Sequence, residues 1–206
     1  MPMGYSIEKE VLLVLGPPIY LIIVGIIIML KKKKGKVIDI FRELVKFSFA
    51  LYIMALIGVT LFPIRIDFGA ESMFDNGTAL NLIPLISIAN DVAEIGNGNF
   101  SVGFQMQLLL RNVGGNFILL MPIGFLAPIL WEKVKSLKNI VIVGFVVSLS
   151  IELLQLLEGY LKVGFARIVD VDDLILNVLG AVFGYALYKF VNFVITKYKI
   201  KQPKVC

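Results

Sequence analysis

The sequence has no histidine and a single cysteine, Cys206, at its C-terminal end. Without histidine it lacks the commonest acid/base group and metal ligand. With one thiol it can form neither an intrachain disulfide nor a metal site built on thiolates. Charge is scarce too, at 17% of the residues. Any chemistry must therefore come from carboxylates, amides, hydroxyls, Lys or Arg. The net charge of +5 would suggest nucleic acid on a soluble protein. Here membrane topology accounts for it, and no nucleic-acid partner is expected.

What the chain has in quantity is apolar side chains, 58% of the total. They fall into runs at residues 11–30, 44–62, 112–131, 140–157 and 174–195. About 20 residues rising 1.5 Å each cross a hydrocarbon core of about 30 Å. The expected fold is an all-α integral membrane protein of five transmembrane helices. It would form a single polytopic membrane domain over residues 1–206. The lysines at 31–34 follow the first run instead of preceding it. That order predicts a retained helix with its N-terminus outside, not a cleaved signal. Gly16, Pro17 and Pro18 are expected to kink that helix or delay its start. Pro63 should end the second.

Charge supports this topology, with the N-terminus out and the C-terminus in. Of 20 Lys and Arg, 15 fall on the proposed cytoplasmic side, among them Lys36, Arg42, Lys46, Lys133, Lys135, Lys138 and Lys189. Basic residues concentrate on that side in membrane proteins. Trp131 suits the inner interface. A long extracellular loop, residues 63–106, connects helices 2 and 3 and holds the turn-forming Asn76-Gly77 and Gly96-Asn97-Gly98. Inside it residues 80–88, LNLIPLISI, are too apolar for a free loop and too short to span, so an interfacial or re-entrant segment is expected.

Polar groups stand out against this background. Glu152 lies 12 residues past Ile140, about 12 Å below the outer edge of the core. Gln155 is one turn nearer the surface on the same face. Asn116, about 6 Å deep with Asn112 stacked above it, Asn177, and the group Arg167, Asp170, Asp172 and Asp173 converge on the same leaflet. An ionisable residue at such depth is a functional-site hypothesis by default, since lipid tolerates it only when it is paired or faces a water-filled cavity. Glu152 is expected to be protonated, or paired with Arg167 or Arg111. The blander alternatives are interhelical amide bonds for the asparagines and helix capping for the aspartates. Gly180 and Gly184 form a GxxxG packing motif, and Ser148 and Ser150 read as packing serines.

The polar positions also form a pattern. Asn81 to Pro84 reads NLIP, followed by N-x5-P-x-G at Asn116, Pro122 and Gly124, and E-x-x-Q at Glu152 and Gln155. Then comes R-x-x-D-x-x-D-x-x-x-N-x-x-G at Arg167, Asp170, Asp173, Asn177 and Gly180. In these motifs, over about residues 80–190, the chain resembles the VanZ-like family of bacterial membrane proteins. Asp172 and Asn112 lie off the pattern. The resemblance implies a protein of the cell envelope. The family's namesake accompanies glycopeptide resistance and lowers sensitivity to teicoplanin, a lipoglycopeptide that acts at the outer membrane surface.

Three functions remain open at this point. One is binding or remodelling of an outer-leaflet envelope lipid or lipoglycopeptide in a polar, outward-facing pocket, with Arg167 facing a phosphate or carboxylate. Another is an intramembrane enzyme on a lipid-linked substrate. Glu152 would then be the candidate catalytic base, and Asp170 and Asp173 candidate ligands of Mg²⁺ or Ca²⁺. The third is a small transporter. The sequence demands no cofactor and admits a divalent cation.

Overall fold

The computed structural model describes residues 3–68, 80–97, 100–161, 163 and 169–200. Arg167, Asn76 and Gly77 lie outside the described residues. Five helical segments are long and apolar enough to cross a membrane: Lys9–Lys33, Ile40–Leu61, Val102–Leu130, Leu137–Leu161 and Val171–Tyr198. This is an all-α multi-pass membrane protein with very little strand.

The chain divides into two compact units, one of Met1–Ile83 with Leu149–Val171 and one of Pro84–Ser148 with Asp172–Cys206. In the first, strand β1 (Met3–Ile7) leads into helix α1 (Lys9–Lys33), then α2 (Ile40–Leu61) and β2 (Ile64–Phe68). α1 does not wait for its prolines. It starts at Lys9 and carries Pro17 and Pro18 inside it, which corrects the expected delay. The Asp39 carboxylate caps α2 by accepting the Arg42 N–H at 3.1 Å. At that end of the hairpin Glu43 receives both Lys31, at 3.2 Å, and Lys46, at 2.8 Å. The Tyr20 and Phe47 rings meet at 5.8 Å, and Met54 fills the space beside Gly16. At the opposite end β1 and β2 pair antiparallel from Met3↔Phe68 to Ile7↔Ile64. This strand pair was not expected. The first unit also holds β3 (Leu80–Asn81), residues 149–161 of helix α6 (Leu137–Leu161), and β4 (Val169–Asp170).

The second unit holds α3 (Ile86–Glu94), α4 (Val102–Leu119), α5 (Met121–Leu130), residues 137–148 of α6, and α7 (Val171–Ile200) from Asp172 onward. α4 and α5 form one span, interrupted at Leu120, where φ is −100° and ψ 2°. Pro122 explains the break: it lacks the N–H that would continue the ladder and sits at the start of α5. The span begins at Val102, ten residues before the expected start at Asn112. The apolar run alone hid this, because Gln105, Gln107 and Arg111 interrupt it. The depth expected for Asn116 falls with that start. Within the expected loop 63–106, α3 and the first turns of α4 occupy much of the second half.

The core of this unit is a seam between α4/α5 and α7. A Cβ on Gly180 would overlap the Phe117 carbonyl oxygen, one on Gly184 the Met121 carbonyl oxygen, and one on Gly124 the Ala181 carbonyl oxygen. Contacts advance in the same direction along both helices, so the two run parallel. Close backbone approach through glycine is how membrane helices gain packing energy without a hydrophobic drive. Leu120, Ile123, Ala127 and Ala181 are buried along this seam, and Phe117 meets Phe183 at 5.5 Å between ring centroids. Tyr185 closes it by donating from its hydroxyl to the Lys135 carbonyl at 2.6 Å.

Candidate functional site

In the first unit Asn81 and Asp170 are register partners in the short parallel β3–β4 pair. The Asn81 amide donates to the Asp170 carboxylate at 3.0 Å. Its own oxygen accepts the Ile83 N–H at 3.3 Å, a turn that a residue of this type makes with the backbone two positions on. The Asp170 backbone N–H in turn donates to the Glu152 carboxylate at 3.4 Å. Glu152 sits inside α6 and is 5% exposed. Three residues 89 and 18 positions apart thus form one bonded chain, from sheet to helix. One turn along α6, the Gln155 amide donates to the Thr60 carbonyl at 2.9 Å. That carbonyl needs a partner: its ladder donor would come from residue 64, beyond the end of α2 at Leu61. Gln155 therefore ties α6 to α2.

In the second unit the Asn116 amide donates to the Asp173 carboxylate, joining α4 to the first turn of α7. One turn further into α7, the Asn177 amide donates to the Ser148 hydroxyl at 2.9 Å. Both are buried, and the Asn177 oxygen has no hydrogen-bond partner among the described residues. Each aspartate of the D-x-x-D pair therefore has an asparagine of its own, Asn81 for Asp170 and Asn116 for Asp173.

Asp172, which lies off the motif pattern, is 2% exposed and holds the start of α3, accepting N–H groups from Leu85 and, at 3.4 Å, from Ile88. Asn112, off the pattern as well, donates to Asp91 of α3 at 3.4 Å. No sequence signal pointed to either contact, because Asp172 and Leu85 are 87 positions apart. Ser148 is a bonded member of the second cluster and not only a packing residue. Among the described residues no three carboxylates, histidines or cysteines gather closely enough to hold a metal ion. Of the two expected partners of Glu152, Arg167 lies outside the described residues, and Arg111 is exposed on α4.

Residues 49–192 match the family model described as VanZ/LLP1. No curated protein and no solved structure gives a significant match. The match starts within α2, earlier than the motifs alone suggest, and leaves α1 outside it. It takes in every motif residue from Asn81 to Gly180 and more than half of the chain, which therefore belongs to the VanZ/LLP1 family.

Proposed function

We propose that this protein binds or remodels a polar component of the outer leaflet of the bacterial envelope, and by doing so contributes to glycopeptide resistance of the teicoplanin type. The ligand would enter a polar pocket open to the outer side, where Glu152, Asp170 and Asn81 supply acceptors and amide donors. Arg167, three positions before Asp170, would meet the ligand's phosphate or carboxylate. The observation that carries this reading is the buried Glu152 carboxylate, bonded to a chain of family-motif residues from three parts of the sequence. A carboxylate in a membrane helix is costly to keep, so a role in binding explains its presence better than packing does. Membership of the VanZ/LLP1 family supports the envelope setting.

The test is teicoplanin sensitivity of a susceptible bacterial host that expresses the protein, compared with Glu152→Gln, Arg167→Ala and Asn81→Ala at equal membrane levels. Protection by the native chain and its loss in the first two variants is the expected result. Full protection by both would refute the proposal.

Burial of Glu152 favours one alternative, an enzyme acting on a lipid-linked envelope substrate with Glu152 as general base. Asp170, bonded to Asn81 beside Glu152, would then be the candidate to contribute to holding a divalent cation. Labelled envelope lipids incubated with purified protein, with and without EDTA, separate the two readings: turnover favours the enzyme, and binding without turnover favours the first.

A further inference from the structure

Helix α3 divides its circumference three ways. At 100° per residue, Ser87, Ile88, Asp91 and Ile95 share one flank, and these are the half-buried positions. The exposed remainder is not uniform. Asn90 and Glu94 lie together on one side, whereas Ile86, Ala89, Val92 and Ala93 form a continuous apolar stripe on the other. A helix surrounded by water would be polar over its whole exposed arc, and one sunk in lipid would be apolar over it. A helix with protein, water and lipid on separate flanks has the pattern seen here.

Its place along α4 agrees. The Gln105 amide donates to the Glu94 carbonyl at 2.8 Å and accepts the Gly96 N–H at 2.8 Å, while Asn112 bonds Asp91 at 3.4 Å. α3 therefore runs antiparallel beside the first ten residues of α4. The span Val102–Leu130 is 29 residues, or about 43 Å, roughly 13 Å more than the hydrocarbon core is thick. With Trp131 at the far interface, the surplus is the part of α4 that α3 accompanies.

The start of α3 is held from a distance. Leu85 is its N-cap, with φ +65° and no side-chain bond of its own to the helix. The left-handed conformation is unfavourable for a residue with a Cβ, and needs surroundings that enforce it. Asp172 provides them. One carboxylate oxygen takes the Leu85 N–H and the other takes the Ile88 N–H at 3.4 Å. These are the N-cap and N3 donors that a local capping box would satisfy. The carboxyl oxygens also sit at the positive end of the helix dipole.

We propose that α3 is an interfacial helix whose stripe of Ile86, Ala89, Val92 and Ala93 lies against lipid at the edge of the hydrocarbon core, and that Asp172 is the positioning residue that sets it there. The occupant of the stripe is the bilayer, because the helix that carries it is bonded alongside a membrane span and the stripe stops where Asn90 and Glu94 begin.

The test uses the full chain carrying Cys206→Ser, in phosphatidylglycerol/phosphatidylethanolamine vesicles, with nitroxide labels on Val92→Cys or Asn90→Cys. The ratio of oxygen to water-soluble nickel accessibility should be severalfold higher at 92 than at 90. Equal, water-like ratios at both positions overturn the interfacial placement. So does spin coupling between copies at 92, which would make a second copy the occupant. In Asp172→Ala the difference between the two positions should collapse, while a label at Phe104→Cys on α4 keeps its value. Asp172→Asn, which retains one acceptor oxygen, should fall between and serves if the alanine variant does not fold. An unchanged difference in either variant removes Asp172 from the proposal.

Discussion

The Asn116 amide and the Asp173 carboxylate meet at the end of the glycine seam, where α7 begins and α4 is still two turns from Gly124. The pair sits on two helices that already touch backbone to backbone. Its geometry is therefore imposed by packing and does not depend on long side chains finding one another. An amide donating to a carboxylate in such a place adds about 1–2 kcal/mol at most, because the unfolded chain in a membrane also finds partners.

A double-mutant cycle on Asn116→Ala and Asp173→Ala should give a coupling of about 1 kcal/mol in a reversible unfolding assay in mixed micelles. Additive losses would mean that the two side chains do not stabilise each other.

The seam makes a sharper prediction. Gly180→Ala puts a methyl group into the Phe117 carbonyl, and Gly124→Ala puts one into the Ala181 carbonyl. Backbone atoms cannot rotate away, so each variant should lose at least the 1–3 kcal/mol typical of overpacking. Gly114→Ala is the control. Nothing lies within 4 Å of a Cβ at that position, and exchange of helical glycine for alanine there should be neutral or mildly stabilising. Melting temperatures of the three purified variants test the ordering.

Ser148 and Asn177 test the cost of a buried polar pair. Ser148→Ala removes the acceptor of the Asn177 amide, whose oxygen already lacks a partner among the described residues. The loss should be about 1–3 kcal/mol, and Ser148→Ala combined with Asn177→Leu should recover part of it, since removing both polar groups is milder than orphaning one. A double variant less stable than the single one would contradict this.

The five spans were legible because lipid imposes one rule on the whole chain: an apolar run near 20 residues must be a helix that satisfies its own backbone. The same rule made Glu152 conspicuous. It failed at α4, where glutamines and an arginine break the apolar run while the helix continues on bonds to α3. It also gave no means of pairing Asp170 with Asn81 or Asp172 with Leu85, which are contacts between segments more than 80 positions apart. The strand pair β1–β2 was missed for a related reason. Five residues at each end of a helical hairpin carry a weak signal, and their pairing is set by where α1 and α2 deliver them.

That strand pair has a mechanical consequence. Helices α1 and α2 are linked by a short connection at one end and by five residue pairs of backbone ladder at the other, so the hairpin is closed into a loop. A first helix that packs largely against lipid would otherwise be free to swing about its connection. Here it is tethered at both extremities, by a clasp that works without a covalent bond and that any deletion of residues 3–7 would unfasten.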